Sequence, residues 1–403
     1  LKQTKTKRVV ICGAGPVGVV AALACVQKGF DVVLLEAQAA VDESPRAATT
    51  HPATLEMLAR VGLIDEFISQ GLVARYVQFW DRPTTSKIVE FDHDVLREET
   101  DFPFVVQTEQ HKLARMGIAR LLQGGNATVK FQTSVTGVTQ DANQATVGLL
   151  ESREPREIQA DYVIAADGGR STLRKCLSIE FEGYTFPERF LVVTVLDDFE
   201  AMLHCCYRNY FSDPREWANL FKIAGDDGKG RWRVVFPTRA DETDEQALED
   251  GAVQERVQRL LPNASPYRVV HKNLYKVHQR VAATFRSGRV FLAGDSAHVN
   301  NSIGGLGLNG GIHDAMELAE TLRQAGTDER ILDRYERRRR SLNIEFIQQT
   351  TIANKKRLEA NDAASRQAHA DELRAIAADP ARHKQFLMRS SLIESVRQSQ
   401  LIA

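Results

Sequence analysis

Val9-Val10-Ile11-Cys12-Gly13-Ala14-Gly15-Pro16-Val17-Gly18, closed by Glu36, is the stretch on which the fold turns. Lys7 to Cys12 is rich in Val and reads as a buried strand. Gly13 to Gly18 is a tight turn, Val17 to Gly29 a helix, and Phe30 to Glu36 a second strand. Such a βαβ unit of about 30 residues is the setting that a glycine fingerprint requires. Gly13 permits the turn, Gly15 lets the backbone approach a pyrophosphate, and Gly18 lets helix pack on strand. The helix start adds free N–H groups and partial positive charge. Glu36 stands where a carboxylate accepts a hydrogen bond from a ribose hydroxyl. The unit predicts dinucleotide binding without separating NAD from FAD.

Two later stretches narrow the reading. Asp161-Tyr162-Val163-Ile164-Ala165-Ala166-Asp167-Gly168-Gly169-Arg170-Ser171 is an apolar strand ending in a carboxylate and a turn. Gly288-Arg289-Val290-Phe291-Leu292-Ala293-Gly294-Asp295-Ser296-Ala297-His298 repeats that design, and Gly304 to Gly311 then opens a helix with glycines. A carboxylate at a strand end binds a polyol or a loop amide; taken singly, each is more often a structural turn cap. The glycine-rich helix start offers N–H groups that would stabilise negative charge on a reduced flavin.

Together these residues resemble the class A flavoprotein monooxygenases, the aromatic hydroxylases of the para-hydroxybenzoate hydroxylase type. The resemblance implies an α/β, Rossmann-like FAD-binding fold with an inserted sheet-rich substrate domain and a helical C-terminus. It implies that Gly13, Ala14, Gly15, Pro16, Gly18 and Glu36 hold the ADP half of FAD, and that Arg46 lies near the pyrophosphate. Gln107 matches a flavin-contacting glutamine. Asp167 falls in the motif associated with FAD and nicotinamide binding, and Asp295 is matched to the ribityl or pyrophosphate region. Gly305, Leu306, Gly307, Leu308 and Asn309 would lie beside the isoalloxazine ring. One departure is the stretch Val299-Asn300-Asn301-Ser302-Ile303, where many members carry prolines. The length resembles that of the short, single-component members.

The implied reaction is NAD(P)H- and O2-dependent hydroxylation of a hydroxylated aromatic or N-heteroaromatic acid, through a flavin C4a-hydroperoxide. The cofactor carries the difficult chemistry and the protein positions the ring. No second strand–glycine–helix unit for NADH or NADPH is found; in this family the nicotinamide binds transiently. The substrate is expected on the inserted sheet, with His204, Tyr207, Tyr210, Phe211, Trp217, Arg233 and Phe236 as candidates. Tyr207 could hydrogen-bond a phenolate, and Arg233 or Arg208 could pair with a carboxylate. Strand alternation would put Cys205 and Tyr207 on one face and His204, Cys206 and Arg208 on the other. Any one aromatic is more often plain core. His298 is either a base that deprotonates a ring hydroxyl or an anchor of the flavin loop, and its place in a turn favours the anchor. His51 carries the same two readings.

At 403 residues, 43% of them apolar, the chain has room for two domains and a sizeable core. The expected division is 1–177 and 286–330 for cofactor binding, 178–285 for the substrate sheet and 331–403 for C-terminal helices. A net charge of -1 gives no reason to expect a nucleic-acid partner. The run Arg337-Arg338-Arg339-Arg340 reads as a solvated helix with acidic neighbours. Five cysteines without CxxC spacing point to free thiols and the cytoplasm, and the histidines lack metal-ligand spacing. Neither a secretory signal nor a membrane span is expected, since glycines and Pro16 interrupt the apolar run from Val9 to Val26. The sequence leaves the oligomeric state open, with a homodimer as one assembly to test. Competing readings are a halogenase, a prenyl-chain reductase and a non-catalytic escort protein. None of Trp80, Trp217 and Trp232 lies in the halogenase WxWxIP motif, and the intact glycines speak against an escort.

Overall fold

The computed structural model describes residues 6–44, 48–326, 328–360 and 362–403. Arg8–Cys12 lies inside a six-stranded sheet, flanked by Asp31–Leu35 and Tyr162–Ala165, both parallel to it. Ala127–Lys130 and Val290–Leu292 extend the parallel order, and the short Arg286–Ser287 closes one edge antiparallel. Val9 to Cys12 have no solvent exposure, as expected of a central parallel strand covered on both faces. The helix Pro16–Gln27 is apolar on nearly every side because it is buried on nearly every side, from Gly18 to Cys25. It packs against the long helix Leu306–Ala325 and the helix Gln110–Gly124. An antiparallel trio, Thr133–Gln140, Ala145–Glu151 and Glu154–Ala160, sends Ala145, Val147 and Leu149 into the same core.

A second sheet has eight strands. Its spine is the pair Phe181–Val195 and Val269–Ala282, followed by Arg231–Pro237, Ala218–Ile223 and Arg208–Ser212. Two strands from far earlier in the chain, Tyr76–Asp81 and Ser86–Asp92, complete it, and His298–Val299 closes the other edge. The sheet that carries 178–285 is therefore finished by segments outside that range. Alternation gives it two faces. One buries Leu191, Val193, Trp232, Val234 and Phe236 under the helix Asp250–Leu260. The other turns Phe190, Val192, Tyr210 and Val235 toward Ile303, Leu306 and the C-terminal helices. Those helices include Glu329–Leu342, Gln349–Leu358, Ala363–Ala378, Pro380–Ser390 and Ile393–Leu401.

Several local expectations are corrected. His204 takes a left-handed conformation (φ 54°) at the end of the helix Phe199–Leu203. Cys205 to Tyr207 thus precede the strand, which begins at Arg208, and the alternation assigned to 204–208 does not apply. A helix beginning at Gln107 is the reading of the local apolar spacing, but Gln107 instead ends the strand Val105–Gln107 and the helix starts at Gln110. The arginine run has the acidic neighbours expected of it, Arg338 with Glu317 and Arg340 with Glu182, and departs from a solvated helix at Arg339, which is buried against Asp314. Among the described residues no helix is long and apolar enough to cross a membrane.

Burial leaves some titratable groups neutral. It pulls His93 and His313 down to about 3, with Arg208 and Arg339 adding to the effect. Each imidazole is then uncharged when folded but takes a proton below about pH 6.5 when unfolded. The stability they permit is complete above that pH and is lost as pH falls toward 3. The loss should approach about 1.4 kcal/mol per pH unit for each histidine. Urea midpoints measured from about pH 7.5 to 5 check this. The double variant His93→Gln, His313→Gln should show a shallower acid slope, and coincident slopes would refute the assignment.

Candidate functional site

Gly13 leaves the first strand with φ 105°, its N–H on the Leu35 carbonyl at 2.8 Å. A Cβ there would stand 2.3 Å from the Ala166 carbonyl oxygen, so the turn lies directly against the second motif. A Cβ on Gly18 would meet the Gly13 carbonyl at 1.9 Å, which is the close helix packing anticipated for that glycine. Gly15 differs. It begins the helix Pro16–Gln27 with φ -67° and no capping side chain, and a Cβ would meet nothing within 4 Å. The helix start therefore opens onto free space. Glu36 receives the Ala14 and Gln38 N–H groups at 2.9 Å, which holds its carboxylate at the rim of that space.

The second and third motifs are strapped together by Arg174, whose guanidinium donates to the Ser296 and Gly169 carbonyls at 2.8 Å and lies 3.8 Å from the Phe181 ring centre. Asp167 Oδ2 caps the short helix Thr172–Cys176 through the Thr172 and Leu173 N–H groups. Its Oδ1 is buried without a partner. Asp295 is exposed at the end of the third-motif strand. Sequence reasoning missed Arg174, although it lies just three residues beyond the second motif.

Gly304 (φ 104°) and Gly305 (φ 69°) form the turn before Leu306, and no side chain caps the helix that follows. Leu306 is buried, Leu308 is partly so, and Gly307 faces Asn300. Asn309 is spent inside the protein: it donates to the Thr49 and Gly305 carbonyls and accepts from the His51 N–H. Its side chain fixes the turn. Gln107 accepts from the Thr49 hydroxyl at 2.8 Å, leaving its buried Nε2 without a partner. Arg46 lies outside the described residues.

The proposed catalytic residues separate. His298 is 1% exposed and is held by Asp314 at 2.7 Å, with Phe285 stacked at 5.9 Å. Asp314 also receives the Gly294 N–H and the Arg339 guanidinium. Burial pushes the Asp314 carboxyl up, but His298 and Arg339 outweigh it and hold the group below the usual range. His298 is thus the anchor, and the base reading is set aside because the ring is sealed in this cluster. Tyr207 lies under Lys222 (4.8 Å), beside the core on the far face of the large sheet. Arg233 is buried near Glu109 and Tyr275. Neither Tyr207 nor Arg233 lines the cavity that meets the glycine turn.

That cavity, of about 310 Å³, has the large sheet as one wall and C-terminal helices as the other. Arg208 and Tyr210 rise from the sheet, and Ile303, Gly304 and Leu306 form the end toward the turn. Arg208 Nη2 donates to the Tyr210 hydroxyl at 3.2 Å and lies 3.4 Å from the Gly304 carbonyl, with Nε unpartnered. His51 also contacts that carbonyl, at 2.8 Å. Burial and Arg208 keep His51 well below its ordinary pKa, so it is neutral. The open helix start at Gly15 and the unpartnered Asp167 Oδ1 and Gln107 Nε2 fit an elongated cofactor with polar atoms at both halves. Among the described residues no cluster of His, Cys, Asp or Glu suits a metal.

A family model described as an FAD binding domain matches residues 6–350. A para-nitrophenol 4-monooxygenase of Pseudomonas sp. (strain WBC-3) is 35% identical over 388 residues, 94% of each chain. The 6-hydroxy-3-succinoylpyridine 3-monooxygenase HspB of Pseudomonas putida (strain DSM 28022 / S16) is 33% identical over 347 residues, 85% of this chain and 86% of its own. The crystal structure of p-nitrophenol 4-monooxygenase PnpA from Pseudomonas putida DLL-E4 matches with a TM-score of 0.90 at 32% identity, covering 97% of this chain and 98% of that one.

Two glycines in one turn should respond differently. Gly13→Ala should cost at least about 2 kcal/mol of stability through positive φ and backbone overlap. Gly15→Ala should leave the urea midpoint nearly unchanged while weakening FAD binding, because its methyl enters open space. Flavin fluorescence titration beside denaturation separates the two effects; equal loss of stability in both variants would contradict the assignment. Gln107→Leu should weaken FAD binding by about tenfold, the worth of one buried hydrogen bond. Unaltered affinity would mean that Nε2 faces something other than cofactor.

Proposed function

Since the chain belongs to the FAD binding domain family and is an FAD-dependent aromatic monooxygenase, we propose that it hydroxylates a single-ring phenol or hydroxypyridine, with electrons from NADH or NADPH. The cavity of about 310 Å³ between sheet and helices, ending on Gly304 and Leu306, carries this reading. Its size suits one ring with a short substituent. Gly13, Gly15, Gly18 and Glu36 would hold the ADP half of FAD, Asp167 and Asp295 its middle, and Gln107 with the Gly305–Leu308 backbone its ring. Bound FAD, once reduced, supplies the activation of O2 from which one oxygen atom enters the substrate.

The chain's own residues do the rest. Val77, Phe79, Leu358 and Phe386 give the cavity apolar walls that exclude water from the ring. Arg208 stabilises the ring oxygen as an anion, since a guanidinium beside a phenol favours its ionised form. Ionisation enriches the ring in electrons, which an electrophilic oxygen requires. Tyr210, bonded to Arg208, holds the guanidinium in place and accounts for one of its N–H groups. We assign the protein to the cytoplasm on its free cysteines.

NADH or NADPH oxidation by the FAD-loaded protein should rise at least about tenfold with para-nitrophenol or a hydroxypyridine acid, with matched oxygen uptake and an oxygenated product. Bound flavin that no such compound stimulates would overturn the reading. Arg208→Met should retain FAD yet lose about 100-fold in kcat/KM. Its pH profile should move upward, because the bound phenol then ionises only at higher pH. An unmoved profile would remove Arg208 from this role.

A further inference from the structure

The cavity wall that sequence reasoning left unassigned is the helical one, and its chemistry is one-sided. It presents Arg357 and Arg389 opposite a sheet that already contributes Arg208, and no carboxylate among the described residues lines the cavity. Arg357 belongs to the helix Gln349–Leu358, where Gln349, Ala353 and Arg357 recur at a spacing of four and share one face. A π-helical turn, Asn343–Gln348, precedes it and shifts that face out of phase with the arginine-rich helix Glu329–Leu342. Arg338, Arg339 and Arg340 of the earlier helix are used on the protein's own acids, whereas Arg357 lines the cavity.

The pairing pattern along this helix is selective. Lys355 bridges Glu188 and Glu359 at 2.7 and 2.6 Å. Two residues later, Arg357 makes one hydrogen bond, to Asn354 Oδ1 at 3.3 Å, and no described carboxylate lies within 4.0 Å of it. Burial lowers its pKa, with Glu372 offsetting part of the effect from farther away. Arg389 lies in the last turn of the helix Pro380–Ser390, stacks over Phe346 at 4.6 Å and reaches solvent, also without a described acid in contact. Thr350, on the same lining, keeps a buried hydroxyl without a partner. Holding the Arg357 guanidinium largely out of water without a contacting counter-charge is unfavourable unless an anion arrives with the ligand.

We propose that Arg357, assisted by Arg389 at the mouth, is a specificity-determining seat for a second anionic substituent on the substrate ring, a carboxylate or sulfonate, while Arg208 holds the ring oxygen. This rests on the reading of the cavity as the hydroxylation site. The substrate class is then an acidic phenol or hydroxypyridine, and a neutral phenol of equal size is a poorer ligand.

The test is a binding titration of the FAD-loaded, oxidised protein, read from the flavin difference spectrum. The probes are para-hydroxybenzoate, para-hydroxybenzenesulfonate and para-cresol. The wild type should prefer the acidic probes, and Arg357→Met should reduce the acid-to-neutral affinity ratio about 10- to 100-fold. Arg389→Met should reduce it less, and Arg357→Lys should restore part of it by keeping the charge without the fork. Flavin content and melting temperature confirm that each variant is folded. A ratio unchanged in Arg357→Met, or a wild type that prefers para-cresol, overturns the seat and leaves the hydroxylase reading standing. Failure of every phenol to perturb the flavin overturns both.

Discussion

A carboxylate with no exposure to solvent, Asp314, is the tie on which the cofactor half of the molecule depends. It lies on the helix Leu306–Ala325 and receives the Gly294 N–H at 3.0 Å, His298 at 2.7 Å and Arg339 at 2.7 Å. Burying such a charge is unfavourable by several kcal/mol unless its lone pairs are occupied. Here three elements occupy them. The Gly294 contact fixes the turn from which Asp295 emerges. His298 sits on the short strand that closes the large sheet by pairing with Val281. Arg339 brings in the next helix and also reaches the Gly310 carbonyl. One charge thus positions the third motif, the glycine-led helix and the edge of the substrate sheet relative to one another.

The glycine turns around that hub serve distinct physical ends. At Gly13 and Gly18 the missing Cβ admits another backbone, whereas at Gly15 it leaves room. The first kind is a packing constraint within the protein, and the second is space kept for something else. Gly304 and Gly305 combine the two: a Cβ on Gly305 would press on Thr49, while the helix start beyond it remains uncapped. Thr49 in turn links Gln107 and Asn309. The loop after the first βαβ unit is thereby held beside a turn more than 250 residues away.

The parts legible in the sequence are those whose physics is local. A Val-rich strand, a glycine turn and an apolar helix announce themselves through adjacent residues, and so did the strand–carboxylate turns at Asp167 and Asp295. The cavity was illegible because it is assembled from distant pieces. Tyr207 reads as a strand residue next to Arg208, but the left-handed His204 delays the strand, leaving Tyr207 with Lys222. His298 carries both the base and the anchor reading in the sequence, and what separates them is Asp314, sixteen residues later, which holds its ring. Arg357 and Arg389 lie on helices whose charged, irregular pattern reads only as surface. No local signal tells which face of such a helix covers a cavity, because a π-helical turn upstream resets the phase.

The electrostatics of the molecule are accordingly local. With a net charge of -1, the chain as a whole exerts no strong pull on an anion. Positive charge without a described acid beside it nevertheless lines the cavity, where Arg208, Arg357 and Arg389 meet apolar walls. The nearby histidines do not add to it, since burial and Arg208 keep His51 and His93 neutral. Low-polarity surroundings strengthen each charge that remains. Discrimination between acidic and neutral rings can therefore be set by a few guanidinium groups at contact range, while the rest of the surface balances its charges among its own side chains.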